Sequence, residues 1–128
     1  MKIAIASLGI TLKAKVDARF GRCHYFLIIE TKTNDFKVIK NTGGQAFQGA
    51  GISAAQMIAN KKVTAVIAGN FGPKAVSVLN ASGIGIFAGV SDLTAGQALE
   101  KYKKGELEAL KGDGFSLGKG MGCGWNKR

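Results

Sequence analysis

The sequence is poor in the residue types from which most metal and hydrolytic sites are built. Among 128 residues it has one histidine, two cysteines and eight acidic residues. Cys23 and Cys123 form no Cys-x-x-Cys pair, which disfavours a closed four-ligand zinc site. No apolar run approaches the ~20 residues that a membrane-spanning helix needs. Residues 1–2 lead directly into a strand-like segment instead of a signal peptide, so we expect a cytoplasmic protein.

Patterns typical of nucleotide-dependent and hydrolytic enzymes are also missing. The single histidine, His24, is adjacent to Cys23, and neighbours on an extended chain point to opposite faces, which disfavours a cysteine hydrolase. Residues 49–54 match the spacing G-x-G-x-x-A. A dinucleotide site needs a strand directly before these glycines and an acidic residue about 20 positions later. The sequence has neither, so a nicotinamide or flavin site is disfavoured.

Positive charge, by contrast, is abundant. The net charge is +10, with 18 Lys and Arg against 8 Asp and Glu. Such an excess favours an anionic partner, for example nucleic acid, phosphate or an anionic cofactor. Because 15 of the 18 cations are Lys, which is less suited than Arg to bidentate phosphate recognition, a merely solvated lysine-coated surface is an equally good interpretation.

Hydrophobic patterning predicts one α/β domain. Strands are predicted at residues 2–7, 25–30, 36–40, 63–68 and 84–88. Helical spacing predicts helices that end near Asn60, near Ser82 and before Gly105, the last one capped by Thr94. Residues 8–20 are predicted to be a loop. The order is β-β-β-α-β-α-β-α, and it predicts a five-stranded mixed sheet, antiparallel at first and parallel later, with helices on its faces.

The domain is expected to span residues 1–110. No apolar period follows Gly105, and residues 111–128 have the composition of a flexible, glycine-rich basic tail. Nine residues from the strands and the last helix are predicted to be buried: Ile3, Ile5, Leu27, Ile29, Val66, Ile67, Ile84, Ile86 and Leu99.

Two short stretches can carry a ligand. At residues 69–73 a buried strand ends in a glycine turn that feeds a helix with Pro73 in its first position. This is a common way to build an anion site, although a tight turn without a ligand is an equally good interpretation. At residues 22–24 an arginine adjoins a thiol and an imidazole, which suit iron in a sulfur cluster. In the alternative interpretation Cys23 is a small buried residue and His24 an exposed polar one.

Four motifs occur in a particular order: Phe-Gly-Arg at 20–22, Tyr-Phe-Leu-Ile at 25–28, Gly-Ala-Gly-Ile-x-Ala-Ala-Gln at 49–56, and Val-Ile-Ala-Gly-Asn-Phe-Gly-Pro at 66–73. Together they resemble the dinitrogenase iron–molybdenum cofactor biosynthesis family over about residues 1–110. The resemblance implies a ribonuclease H-like fold. It also implies a protein that binds or carries an iron–sulfur or iron–molybdenum cofactor precursor without catalysis of its own. The family often has a histidine before Phe-Gly-Arg, where this chain has Arg19.

The first hypothesis is therefore a small binding protein for an anionic metallocluster, with a cluster donor or acceptor protein as a further partner. Cys23 and His24 are the candidate metal ligands. A basic nucleic-acid-binding module is the alternative, ranked lower because the sequence lacks interleaved surface aromatics for base stacking. The residues expected to hold the anionic periphery of the cluster, by charge or by backbone amides, are Arg22, Gly43, Gly44, Gly49, Gly51, Asn70 and Gly72.

The domain boundary can be tested by truncation. A chain that ends after Leu110 should keep a cooperative thermal transition with a midpoint within a few degrees of the full chain. Circular dichroism during heating measures this. Loss of cooperativity would show that the residues after Leu110 belong to the core.

Overall fold

An unbroken apolar run places the first strand, β1 (Lys2–Ser7), inside the sheet, and its last five residues are buried. The computed structural model describes residues 1–41, 50–90, 92–107 and 109. Within them the elements after β1 are, in chain order, β2 (Tyr25–Glu30), β3 (Phe36–Lys40), α1 (Ala50–Asn60), β4 (Ala65–Ile67), α2 (Pro73–Ala81), β5 (Gly85–Phe87) and α3 (Ala95–Lys103).

The strands form one mixed sheet with the order β3-β2-β1-β4-β5. β1 pairs antiparallel with β2, which pairs antiparallel with β3. On its other side β1 pairs parallel with β4, and β4 pairs parallel with β5. Three antiparallel strands followed by two parallel ones form the ribonuclease H-like sheet that the resemblance implies. The predicted fold class and element order are confirmed.

The two faces of the sheet carry separate apolar cores. Ala4 and Ala6 of β1 point to the face covered by α1 and α2, where Ile58 and Leu79 are fully buried. The alternate residues of β1 point to the face covered by α3 and residues 8–16. The nine residues predicted to be buried are all buried, divided between the two cores: Ile3, Ile5, Leu27, Ile29, Val66, Ile67, Ile84, Ile86 and Leu99.

The two parallel partners of β1 are shorter than predicted. β4 and β5 have three residues each, although the apolar runs at 63–68 and 84–88 are longer. Sheet-like hydrogen bonds continue beyond both ends of β4. The N–H of Thr64 donates to the Lys2 carbonyl at 2.8 Å, and that of Ala68 donates to the Phe87 carbonyl at 3.1 Å. The buried runs were recognised correctly, and only their regularly paired centres are strands.

The prediction of a plain loop over residues 8–20 is wrong in part. Val16 is buried and forms an antiparallel bridge with Ser7, and Lys15 forms one with Thr94. The carbonyls of Leu12 and Ala14 accept hydrogen bonds from the first two amides of α3, at 2.8 Å each. These contacts join the segment to the start of α3, so it forms part of the layer that covers the sheet.

The start of α3 agrees with the predicted cap. The Thr94 hydroxyl accepts from the Gln97 amide at 3.1 Å, and the Gln97 side chain accepts from the Thr94 amide at 2.9 Å. Gly105, with φ of 73°, takes the left-handed conformation that ends the helix. None of the described helices combines the length and hydropathy that crossing a bilayer requires.

Ile67 offers a test of this packing. It is fully buried on β4, where it lies opposite Ile5 and Phe87. Ile67→Ala should lower the free energy of unfolding by ~2–5 kcal/mol, because it removes methylene groups and leaves a cavity. Urea denaturation measures the change, and a loss below ~0.5 kcal/mol would contradict the packing of Ile67 in the core.

Candidate functional site

The loops that carry the predicted site residues meet at one edge of the sheet. Ser7, the last residue of β1, lies opposite Tyr25, the first of β2, and Tyr25 lies opposite Lys40, the last of β3. Since β4 and β5 run parallel to β1, they end at the same edge. We call the residues there the site edge: residues 17–24, Asn41 and residues 69–74.

Backbone pairing joins the two main segments of the site edge. The Asn70 amide donates to the Ala18 carbonyl at 2.7 Å, and the Asn70 carbonyl accepts from the Phe20 amide at 3.1 Å. The Gly69 amide donates to the Asp17 carbonyl at 3.2 Å. A Cβ at Gly69 would lie 2.7 Å from the Ala18 Cα, so only glycine allows the two backbones to approach this closely.

Aromatic rings pack beneath this backbone pairing. The Phe20 ring is fully buried and stacks on Phe71 with ring centroids 4.9 Å apart. It also contacts Phe26 of β2 at 5.3 Å. The rings anchor both segments to the core on the α1–α2 face. Arg19 and Arg22 are exposed and flank Phe20 in the sequence, so both extend from a supported backbone.

The Asn70 amide, expected to face a ligand, donates to the Ala18 carbonyl instead. The exposed part of Asn70 is its side chain. Gly51 faces α2 across the helix pair, where a Cβ would contact the Ala75 Cβ at an ordinary 3.5 Å. The other predicted glycines of that loop, Gly43, Gly44 and Gly49, lie outside the described residues.

The two candidate metal ligands lie in opposite environments. Cys23 is 1% exposed, and its thiol donates to the Phe20 carbonyl at 3.3 Å. His24 is exposed. Burial, assisted by the negative charge of Asp17, raises the pKa of the Cys23 thiol from 9.0 to about 12, so the thiol is protonated at neutral pH. These observations match the alternative in which Cys23 is a small buried residue. The described residues hold no group of three or more His, Cys, Asp and Glu placed to share a metal.

Two buried polar residues at the site edge were not among the predicted site residues. One carboxylate oxygen of Asp17 accepts from the Arg19 amide at 2.9 Å, and the other is buried without a donor in the described part of the chain. The side-chain amide of Asn41 donates to the carbonyls of Gly21 at 3.1 Å and Cys23 at 2.9 Å. Its oxygen is likewise buried without a donor there. The sequence signal for Asp17 is its place between the first two predicted strands, where an acidic residue can lie near the strand ends.

The start of α2 is an open, positively polarised feature of the site edge. Gly72 is the N-cap and its backbone is extended. Within the described part of the chain no side chain caps the helix, and the first turn contains no acidic residue. A Cβ on Gly72 would have no heavy atom of the described residues within 4 Å, so these residues leave the space before the helix open. The adjacent Lys74 and the two arginines of the site edge are exposed. Unpaired amides at a helix start and nearby cations favour an anion.

The fold and the site edge define a class of small α/β proteins with a cationic, loop-built edge. The profile described as dinitrogenase iron-molybdenum cofactor matches residues 1–105 of this chain, which therefore belongs to that family.

Similar proteins support the assignment. The apo form of the orange protein from Desulfovibrio gigas superposes with a TM-score of 0.83 and 32% identity, covering 85% of this chain and 92% of that one. A Thermotoga protein described as NifB-like superposes with a TM-score of 0.74 and 30% identity, covering 93% and 97%. An uncharacterised protein of Methanocaldococcus jannaschii is 30% identical over 115 residues, covering 87% of this chain and 97% of its own.

The raised pKa of Cys23 makes a prediction about alkaline stability. The unfolded thiol loses its proton near pH 9, whereas the folded thiol keeps it up to about pH 12. Above pH 9 the folded state therefore binds more protons than the unfolded state, and stability falls as the pH rises. The free energy of unfolding should decrease by up to ~1.4 kcal/mol per pH unit more than in Cys23→Ala.

Urea denaturation of both proteins at pH 8 and pH 10.5 measures this difference, and equal pH slopes would contradict it. A second measurement uses a Cys123→Ser background, in which Cys23 is the one remaining cysteine. A thiol reagent should then label the protein only after unfolding.

Proposed function

We propose that the protein is a small, non-catalytic carrier that holds an anionic iron–sulfur or iron–molybdenum cofactor precursor at the site edge. The observation that carries the proposal is the uncapped start of α2, open at Gly72 and adjoined by exposed cations. Family membership supplies the class of ligand. A metallocluster is cargo in this proposal, received from one protein and delivered to another.

The electrostatics of the site edge support an anionic cargo. Arg19, Arg22 and Lys74 are exposed, whereas the acidic residue of the site edge, Asp17, is buried and contacts Arg19. The amides of Lys74 and Ala75, in the first turn of α2, add a partial positive charge. Together these groups can offset the negative charge of a sulfur-rich cluster without a covalent bond to it.

The contrast with α3 strengthens the interpretation of α2. The first amides of α3 are bonded to the Leu12 and Ala14 carbonyls, and Thr94 and Gln97 complete a capping box. Helix N-termini are commonly stabilised by such side-chain caps. Among the described residues no side chain caps the start of α2 in this way. Pro73 has no N–H, so the amides of Lys74 and Ala75 are the ones that a ligand could contact.

Direct ligation in this proposal falls to His24. Its imidazole is exposed beside Arg22, whereas the Cys23 thiol is buried and protonated. A neutral imidazole suits iron, and a single protein ligand allows a cargo to leave again. Cys123 lies outside the described residues.

The test places a charge at the helix start. In Gly72→Asp the new carboxylate would fill the open space and cap α2, so the fold should be as stable as before or slightly more so. The same carboxylate would repel and displace an anionic cluster. After anaerobic incubation with ferrous iron and sulfide, with and without molybdate, bound metal and acid-labile sulfide should fall about tenfold relative to the unaltered protein.

Two controls separate charge from shape. Gln56→Glu makes the same change in net charge on an exposed position of α1 and should leave uptake unchanged. Gly72→Asn caps the helix without a charge and should reduce uptake less than Gly72→Asp. Full uptake by Gly72→Asp would remove the helix start from the mechanism. If the unaltered protein takes up no cluster, the proposed function does not apply to this chain.

A further inference from the structure

The outer edge of β3 is a second surface, separate from the start of α2. Within the described residues β3 is the terminal strand of the sheet, paired with β2 alone. The Asp35 carbonyl accepts from Glu30, and the Asn41 amide donates to His24, so these groups point toward β2. Hydrogen bonding alternates along an antiparallel pair. The backbone groups of Phe36, Val38 and Lys40 therefore point outward.

The side chains on the two faces of this edge differ. Phe36 and Val38 share the α3 face of the strand and are exposed, at 36% and 38%. On the α1 face, Lys37 lines a shallow groove whose apolar surface comes from Ile28 and Ile39, with Phe36 at its border. An extended segment lying along β3 would thus meet apolar side chains on one face and lysine on the other.

The groove is predominantly basic. Lys2 and Lys61 line it together with Lys37. Its acidic residues are Glu30 and Asp35. Glu30 accepts a 2.6 Å hydrogen bond from the N-terminal ammonium group, which lowers the pKa of its carboxyl and balances its charge. Three lysines then face one further carboxylate, that of Asp35, so the remaining charge of the groove is positive.

We propose that the β3 edge docks an extended, acidic segment of a partner protein as a further strand of the sheet. Its backbone would pair with the outward groups of Phe36, Val38 and Lys40. Its acidic side chains would lie over Lys2, Lys37 and Lys61, and its alternate apolar side chains against Phe36 and Val38.

The positive charge of the groove favours an acidic partner segment over two other occupants, a second copy of the chain and the chain's own residues 111–128. A second copy paired along β3 would bring together two chains of net charge +10 and the lysines of both edge strands. The chain's own residues 111–128 carry four cations and one acidic residue, which is the wrong sign for the groove. Lysines on an edge strand can also serve to prevent aggregation. Lys2 and Lys61 lie outside β3, however, and that purpose does not require them at the groove.

The test uses the full chain and an acetylated, amidated peptide of alternating Glu and Val, seven residues long. Fluorescence anisotropy measures affinity, and hydrogen exchange followed by NMR measures protection. The peptide should slow exchange at the amides of Phe36, Val38 and Lys40 and leave those of Lys37 and Ile39, already bonded to β2, unchanged. A peptide with Lys in place of Glu should not bind.

Matched variants separate the groove from general charge attraction. Lys37→Glu with Lys61→Glu should weaken binding about tenfold. Lys13→Glu with Lys104→Glu changes the net charge equally at exposed positions outside the groove and should leave affinity within about twofold. Val38→Pro removes one outward N–H and keeps the pairing with β2, since proline is tolerated where an edge N–H faces solvent. It should abolish binding.

Three results would overturn the proposal. The first is unchanged exchange at Phe36, Val38 and Lys40 in the presence of the peptide. The second is equal loss of affinity in the two charge-reversed pairs, which would show attraction without a site. The third is a concentration-dependent dimer in sedimentation that Val38→Pro abolishes, because the occupant would then be a second copy. Neither charge-reversed pair includes a residue of the site edge, so the result is independent of cluster uptake.

Discussion

Two hydrogen bonds to the backbone of Asn70 hold the site edge together. They join the end of β4 to the segment that precedes β2, at 2.7 Å to Ala18 and 3.1 Å to Phe20. Because a Cβ at Gly69 would overlap Ala18, this pairing depends on a glycine at that position. The stacking of Phe20 on Phe71 follows from it. The pairing also fixes the backbone of Arg19 next to Asn70, just before the start of α2.

At the site edge the acidic side chain is buried and the cationic side chains are exposed. Asp17 is 2% exposed, and Cys23 beneath the surface keeps its proton, while the guanidinium groups and the lysine of α2 stay outside. This arrangement has a cost, since a buried acceptor without a donor destabilises a fold by ~1–3 kcal/mol. Asp17 and Asn41 each leave one such oxygen in the described part of the chain. The two apolar cores offset this cost, and the exposed surface of the site remains cationic.

The sequence predicted what depends on local patterns and missed what depends on distant pairing. Apolar runs located the strands, and Thr94 and Gly105 marked the ends of α3. Because parallel strands end at the same edge of a sheet, Arg22 and Gly72 were predicted to lie at one edge. No local sequence pattern predicts that residues 17–20 pair with Asn70. Without knowledge of this pairing, the Asn70 amide was expected to be available to a ligand. The glycines show most clearly that the sequence does not reveal the environment of a residue. Gly51 faces α2, Gly69 lies against the backbone of Ala18, and Gly72 has no described atom near its Cβ position.

Asn41 connects the two surfaces of the molecule. It follows the last residue of β3, and its side chain donates to the carbonyls of Gly21 and Cys23 in the site edge. A strand added along β3 would run from the groove lined by Lys2, Lys37 and Lys61 toward Asn41. It would restrain the backbone of β3 that precedes Asn41. Ordering at one end of a hydrogen-bonded network limits motion at the other. A partner that docks at β3 would thereby steady the loop that carries Arg22 and His24, at the edge where a cluster would enter or leave.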